Sequence, residues 1–223
     1  MYKLKMKNIL TKCSVYKDIY LKKLNSSKPN ILICEGPAGT GKTMEACKSA
    51  LFHINENHYK KLIITRPSVS VEESLGYLPG DLNSKMEPWM IPIYEYLEEF
   101  STNKFVDKYI NDGIIDILPL GFMRGRTFTN TLIIADEMQN STKKQMYNLL
   151  TRIGDYSKLI ITGDINQCDI PIEESGLVEL IQKYNSFYSN EVTDYENDIL
   201  LLELDETDIK RSEIVKQIIK MYN

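Results

Sequence analysis

The sequence lacks the cysteine pattern of a disulfide-rich or zinc-binding protein. Its four cysteines are Cys13, Cys34, Cys47 and Cys168, and no two of them have CxxC spacing. Scattered cysteines outside a small secreted scaffold are typical of a reducing compartment. We therefore expect free thiols, no structural zinc site and a cytoplasmic protein.

Long apolar segments and an excess of basic charge are also missing. No apolar run approaches the roughly 20 residues that a membrane-spanning helix needs, and the basic start, with Lys3, Lys5 and Lys7, is not followed by the apolar stretch of a signal peptide. The formal net charge is -4, so the chain as a whole has no basic field that would indicate nucleic-acid binding. We expect a soluble protein that is neither exported nor membrane-bound.

Short apolar runs rich in β-branched residues recur along the chain. They cover 30–34, 61–65, 131–135, 158–162 and 198–204, with 114–118 as a candidate sixth. Runs that are apolar on both faces, separated by stretches long enough for crossover helices, predict a doubly wound parallel sheet with helices on each side. The 223 residues suit one such domain rather than two.

Helical periodicity fills most of the stretches between these runs. It covers 10–24, 42–54, 83–100, 142–152, 174–184 and 210–222. The Ser-, Glu-, Gly- and Pro-rich stretch 66–80 is predicted to be a long loop. His53 and His58 lie away from any cluster of acids, and we expect both at the surface.

A glycine-rich motif follows the first predicted strand and precedes a predicted helix. It satisfies GxxxxGK[ST] with the residues Gly36, Pro37, Ala38, Gly39, Thr40, Gly41, Lys42 and Thr43. The glycines let backbone N–H groups point at phosphate oxygens, and the helix N-terminus adds positive potential. We expect Lys42 to contact the β- and γ-phosphates and the Thr43 hydroxyl to bind Mg²⁺. The motif therefore predicts a site for ATP and Mg²⁺.

Polar residues follow two further strands of the predicted sheet, where they meet the same crevice. Asp136 and Glu137 end the run 131–135, which suits Asp136 to hold Mg²⁺ and Glu137 to take a proton from the attacking water. Gln167, after the run 158–162, is placed to contact the γ-phosphate or orient that water. A solvated turn is the alternative at both places. An acid beside the metal-binding Asp favours hydrolysis over small-molecule kinase activity.

Taken together, these motifs resemble the PhoH family of ATPases, whose core is similar to the first motor domain of superfamily 1 helicases. The matching stretches are GPAGTGKT at 36–43, PLGFMRGRT at 119–127, IIADEMQN at 133–140 and GDINQCDIP at 163–171. The resemblance runs from about residue 10 to the C-terminus. It implies an ATPase with an RNA-related activity that is suspected in several members.

The resemblance also implies the fold and two site residues. The expected fold is an α/β P-loop NTPase, a RecA-like three-layer sandwich with a mainly parallel central sheet. A single domain covers 1–223, with the core at 28–223 and a helical segment at 8–25. Gln139 and Gln167 join the nucleotide site by similarity. The longer branch of the family adds a nuclease domain, for which the chain has no room, and we expect no nuclease activity.

Arginines accompany several of these motifs. Arg66, Arg124 and Arg126 are candidates for binding phosphate oxygens, either those of ATP or those of single-stranded RNA or DNA. Surface ion pairs are the alternative for these arginines. Without a nucleic-acid substrate, the chain would be a nucleotide-controlled assembly or interaction protein.

The predicted catalytic site lacks one recurring component. Efficient P-loop hydrolysis often uses an arginine finger on the γ-phosphate, which the helicases take from a second motor domain. A chain with a single core would take this arginine from a neighbouring copy, from another partner or from its own C-terminal segment. We expect a homo-oligomer, which forms a ring if the contact between copies is head-to-tail. Arg211 is the leading candidate, followed by Arg152 and Arg124; an exposed surface residue is the alternative for Arg211.

Overall fold

A computed structural model describes residues 15–67, 82–188 and 197–209, together with Ile214 and Met221 as helical residues. Only the backbone is described for 82–90, and Asn103 is likewise described without its side chain. Most of the predicted loop at 66–80 and nearly all of the predicted helix at 210–222 lie outside these ranges, as does Arg211.

Six strands form one parallel sheet. They are β1 (Ile31–Glu35), β2 (Lys61–Arg66), β3 (Ile115–Pro119), β4 (Thr131–Ala135), β5 (Lys158–Gly163) and β6 (Ile199–Glu203). Every neighbouring pair is parallel, in the order β3-β2-β4-β5-β1-β6. All six predicted strands are confirmed, the candidate at 114–118 included. The glycine-rich motif follows β1, which lies between β5 and β6.

Six α-helices are described around this sheet. They are α1 (Val15–Leu24), α2 (Lys42–Asn55), α3 (Leu82–Phe100), α4 (Asn103–Asn111), α5 (Lys143–Leu150) and α6 (Gly176–Phe187). Sequence reasoning missed α4. Its 9 residues make little more than two turns, too few for a clear period of apolar residues.

Two hydrophobic cores, one on each face of the sheet, make the fold a three-layer sandwich. Successive strand residues point to opposite faces, so Ile64 of β2 packs in the core that holds α1 to α4, while Ile63 packs in the other. The second core is completed by Leu149 of α5 and Leu177 of α6. The predicted α/β fold is therefore confirmed. Among the described helices, none is long and apolar enough to cross a membrane.

One prediction about the surface is wrong. His53 is only 5% exposed, because it lies on the inner face of α2, where its Nε2 is 3.1 Å from the Leu24 carbonyl oxygen. A carbonyl can only accept, so Nε2 carries the hydrogen and Nδ1 accepts from His58 Nδ1 at 2.9 Å. Burial lowers the pKa of His53 and favours this neutral form. His58 is exposed, as expected.

Candidate functional site

The carboxyl ends of β1, β4 and β5 meet at an open pocket of about 340 Å³. Its lining includes the predicted residues Ala38, Gly39, Gly41, Lys42, Thr43, Asp136, Glu137 and Gln167, and also Met44, Tyr96, Gly163 and Asp164. The structure thus brings together residues that are up to 129 positions apart in the chain, Ala38 and Gln167 being the extremes. The parallel topology allows this, because the carboxyl ends of all the strands share one edge of the sheet.

The glycine-rich loop is curled around the side chain of Lys42. Gly39 and Gly41 have φ angles of 86° and 80°, in the left-handed region that only glycine adopts at low cost. The Lys42 amine donates to the carbonyl oxygens of Gly36 at 2.5 Å and Pro37 at 2.9 Å. These bonds hold a cation, 8% exposed, inside a ring of backbone at the N-terminus of α2. The Lys42 amine is thus enclosed at the end of the helix that carries positive potential.

Two side chains from α1 support the loop from behind. The amine of Lys17 donates to the Thr40 carbonyl oxygen at 2.6 Å, and the hydroxyl of Tyr20 donates to the Lys42 carbonyl oxygen at 2.8 Å. Both side chains are fully buried, and burial raises the pKa of Tyr20, which keeps its hydroxyl protonated as a donor. Sequence reasoning missed these contacts, because they depend on how α1 packs against α2.

Asp136 is the most highly connected acid of the site. It is 1% exposed, and its Oδ1 accepts from the hydroxyls of Thr43 and Thr162, both at 2.6 Å. Its Oδ2 accepts from Arg66 Nε at 2.9 Å and Nη2 at 2.5 Å. The predicted pair of Thr43 and Asp136 is therefore in direct contact. Arg66, considered above for nucleic acid, is bonded to the carboxylate of this site.

Glu137 is held in an unusual backbone conformation. Its φ and ψ are 55° and 36°, a left-handed conformation that costs on the order of 1 kcal/mol or more for a residue other than glycine. The side chain is exposed to the pocket, and its Oε2 accepts from Gln139 Nε2 at 2.7 Å. Such strain is common at active sites, and here it directs the carboxylate toward the pocket rather than into the core.

Gln139 lies behind Glu137 rather than in the pocket lining. It is 1% exposed, its Nε2 also donates to the Gln167 carbonyl oxygen at 3.3 Å, and its Oε1 accepts from the backbone N–H of Asp164 at 3.1 Å. The side chain thus joins the end of β4 to the end of β5. Gln139 is placed to position Glu137, whereas Gln167 is exposed at the pocket.

The end of β5 is also tied to the glycine-rich loop. Asp164 Oδ2 accepts from the backbone N–H of Ala38 at 3.0 Å, and Oδ1 accepts from the N–H of Asn166 at 3.0 Å. The second bond caps the short 3-10 helix Ile165–Gln167 that carries Gln167. Asp164 therefore fixes two sides of the pocket with one carboxylate.

Tyr96 is a pocket residue that sequence reasoning missed. It belongs to α3, next to the buried positions Ile93 and Leu97 that form the packed face of that helix. Burial raises the pKa of Tyr96, and the carboxylate of Asp136 adds to this shift. No sequence motif marks the residue, because only the packing of α3 on α2 brings it to the site.

The other predicted arginines lie apart from the pocket lining. Arg124 and Arg126 are exposed in the segment after β3, and the Arg126 guanidinium lies 4.9 Å from the ring centroid of Phe128. Neither forms an ion pair with a described residue. Arg152 instead donates through Nε to the Asn148 carbonyl oxygen at 3.2 Å, at the end of α5.

The chain matches one protein family over nearly its whole length. The family model described as PhoH-like protein matches residues 10–223. A PhoH-like protein of Bacillus subtilis (strain 168) is 42% identical over 189 residues, which are 84% of this chain and 56% of that protein. One from Synechocystis is 38% identical over 195 residues, or 87% and 57%. The chain thus spans little more than half the length of these relatives.

Comparison with solved structures agrees with the fold. The large terminase of a thermophilic bacteriophage has a TM-score of 0.53 and 12% identity, and the match covers 96% of this chain and 51% of that chain. Another crystal form of that terminase, in complex with ADP, has a TM-score of 0.51 and 13% identity, with 95% and 50% coverage. At such low identity, the likeness shows the shared fold alone.

Proposed function

The chain belongs to the PhoH-like family, and from this premise we propose that it binds ATP with Mg²⁺ and hydrolyses the γ-phosphate. One observation carries the proposal: the enclosed amine of Lys42, the bonded pair of Thr43 and Asp136 and the exposed carboxylate of Glu137 line one pocket. These are a phosphate-binding cation, oxygen ligands for a metal and a base, which phosphoryl transfer to water requires together.

The oxygen ligands suit Mg²⁺. Within the described part of the chain, no cluster of three or more His, Cys, Asp or Glu side chains exists, so the protein does not supply a full metal cage there. Mg²⁺ is usually held by one or two protein oxygens together with phosphates and water. Thr43 and Asp136 would hold it here, and when bound it would neutralise charge on the phosphate oxygens.

Each polar side chain of the pocket then has a separate role in hydrolysis. Lys42 leaves its two loop carbonyls and donates to the β- and γ-phosphates. Glu137 accepts the proton of the attacking water, and the amide of Gln139 keeps the Glu137 carboxylate aimed at the pocket. Gln167, which is exposed at the same pocket, contributes a second polar group that orients the water.

The proposal is tested by two substitutions in the full chain. Lys42→Ala should remove turnover while the chain stays folded, because the amine bonds only to the loop and supports no core packing. Glu137→Gln should keep nucleotide binding but reduce phosphate release by about 10²- to 10⁴-fold, because the amide cannot accept a proton. Glu173→Gln, at an exposed acid outside the pocket lining, is the control. Near-normal turnover of Glu137→Gln would contradict the assignment of the base.

We further propose that hydrolysis is coupled to single-stranded RNA or DNA. The supporting observation is the exposed pair Arg124 and Arg126 beside Phe122, which is 51% exposed. Exposed arginines close in sequence to an exposed aromatic ring suit a strand that is bound through backbone and stacking contacts. Arg66 is less suited to this role, because its guanidinium bonds to Asp136.

Binding and turnover measurements separate this role from its alternatives. Arg124→Ala and Arg126→Ala should each weaken binding to all sequences and lower the salt slope by about one, whereas Lys183→Ala, at an exposed position of α6, should not. Turnover that homopolymers do not stimulate would instead favour a nucleotide-controlled assembly or interaction protein. Release of ADP and phosphate without an added acceptor would exclude a small-molecule kinase.

The homo-oligomer and its ring form also belong to the proposal. Arg211 lies outside the described residues, and its role as a finger supplied to a neighbouring copy stays a prediction. Arg152 and Arg124 are placed away from the pocket lining of their own chain, so they too would act only on a neighbouring chain.

A further inference from the structure

Among the arginines that the structure describes, Arg66 lies nearest to the proposed chemistry. It is the last residue of β2, its side chain is 15% exposed, and two of its nitrogens donate to Asp136 Oδ2. The other oxygen of the same carboxylate bonds to Thr43, at the first turn of α2. One carboxylate therefore separates the guanidinium from the hydroxyl proposed to bind Mg²⁺.

The carboxylate of Asp136 cannot fully neutralise the Arg66 guanidinium and a bound Mg²⁺ at the same time. With one negative charge, it is neutralised by the guanidinium, and a divalent cation at Thr43 and Asp136 would meet a like charge only a few ångströms away. Burial sharpens this conflict, because charges in a site of low dielectric are poorly screened. Occupation of the metal position therefore favours a different partner for Arg66.

The terminal phosphate of ATP is the partner that the geometry offers. The backbone of β2 is fixed here, because the Thr65 carbonyl oxygen accepts from the Asp136 N–H at 2.9 Å, so only the side chain of Arg66 needs to turn. A guanidinium presents several N–H groups in a planar fork that fits two phosphate oxygens at once. The pocket beside Asp136 is also where Lys42 would meet the γ-phosphate.

We propose that Arg66 changes partner with the state of the site: it neutralises Asp136 in the nucleotide-free chain and contacts the terminal phosphate of ATP when Mg²⁺ is bound. The inference rests on the proposed ATP site. It gives this chain an arginine at the γ-phosphate from its own core, in addition to any arginine that a neighbouring copy supplies.

Nucleotide binding tests the proposal without relying on turnover. Fluorescent ATP and ADP analogues are titrated against the full chain carrying Glu137→Gln, which is expected to slow hydrolysis strongly, with Arg66→Ala, Arg66→Lys or the control Lys183→Ala added. Arg66→Ala should lower the preference for ATP over ADP by about 10- to 100-fold, the range for one charge-assisted hydrogen bond. At saturating Mg²⁺, its ADP affinity should be unchanged.

A second measurement addresses the competition for Asp136. The Mg²⁺ concentration that gives half-maximal binding of the ADP analogue should fall in Arg66→Ala, because the guanidinium no longer occupies the carboxylate. Arg66→Lys keeps a charge beside Asp136 but lacks the fork, so it should fold and lose a smaller part of the ATP preference, about 3- to 10-fold. If Arg66→Ala does not fold, this variant decides the question.

The outcomes separate this inference from the proposed function. Equal loss of ATP and ADP affinity, or an unchanged ATP preference in both Arg66 variants, would show that Arg66 is only a structural partner of Asp136 and would overturn the inference. If the chain with Arg66 intact binds neither nucleotide, or if Lys42→Ala binds both normally, the proposed site itself fails.

Discussion

Two buried threonines at the ends of β2 and β5, the strands on either side of β4, allow a matched measurement of what Asp136 contributes to stability. Thr162 and Thr65 are 0% and 1% exposed. The Thr162 hydroxyl donates to Asp136 at 2.6 Å, whereas Thr65 Oγ1 has no hydrogen-bond partner among the described residues. Valine has nearly the same shape as threonine, so each substitution removes a hydroxyl and leaves the packing in place.

The two substitutions should have opposite effects. Thr162→Val removes a hydrogen bond to a buried charged group, which should lower the free energy of unfolding by about 1.5–3 kcal/mol. Thr65→Val removes a buried hydroxyl that is already unpaired, so it should leave stability unchanged or raise it by up to about 1 kcal/mol. The expected gap between the variants is therefore about 1.5–4 kcal/mol.

Urea unfolding of the nucleotide-free chain provides the assay. The midpoint should move to lower urea for Thr162→Val and stay or rise for Thr65→Val, with the same slope in all three proteins. The expected change in the melting temperature for Thr162→Val is a fall of about 3–10 °C. Equal losses in both variants would refute the reasoning, because the hydrogen bond to Asp136 would then contribute nothing measurable.

Three further predictions concern pH, backbone conformation and assembly. Burial lowers the pKa of Lys158 from 10.5 to about 8. Between these two pH values, the unfolded chain therefore binds more protons than the folded chain. The free energy of unfolding of the unsubstituted chain, measured in urea relative to that of Lys158→Met, should therefore rise by about 1 kcal/mol from pH 7 to pH 9. A difference that does not change with pH would contradict this prediction. Gly36→Ala should destabilise the chain by roughly 1–3 kcal/mol and abolish binding of the fluorescent nucleotide, because φ is 150° and a Cβ would lie 2.7 Å from the Leu204 carbonyl oxygen; unchanged nucleotide affinity would speak against a rigid loop. Mixing Lys42→Ala with Arg211→Ala should restore phosphate release if a neighbouring copy supplies the arginine, and no restoration despite demonstrated subunit exchange would reject Arg211.

The sheet and the glycine-rich loop could be predicted from sequence because each is marked by a short stretch of consecutive residues. A run such as Leu132, Ile133 and Ile134 is apolar on both faces, which few structures other than a buried strand allow. The glycine-rich motif needs only its flanking strand and helix to be interpreted. The location of Asp136 and Glu137 at the pocket could be predicted because they follow a strand, and the topology brings the polar residues at strand ends together.

The partners of these residues were not predictable in the same way. The contact of Arg66 with Asp136 joins residues 70 positions apart, and several arginines had equally suitable positions in the sequence. Gln139 was expected in the nucleotide site, but its burial behind Glu137 depends on a bond to the backbone of β5. His53 was misjudged because a polar side chain on the inner face of a helix becomes buried when the neighbouring helix covers it.

At the proposed nucleotide site, the contacts of α1 with the glycine-rich loop couple this helix to nucleotide affinity. Lys17 and Tyr20 bond to the backbone of Thr40 and Lys42, and neither side chain is part of the pocket lining. Coupling between two sites is reciprocal, so a nucleotide that fixes the loop also tightens the hold on α1 by the same factor. A partner that separated α1 from the glycine-rich loop would weaken nucleotide binding without contacting the nucleotide. Nucleotide binding would in turn slow amide hydrogen exchange in α1.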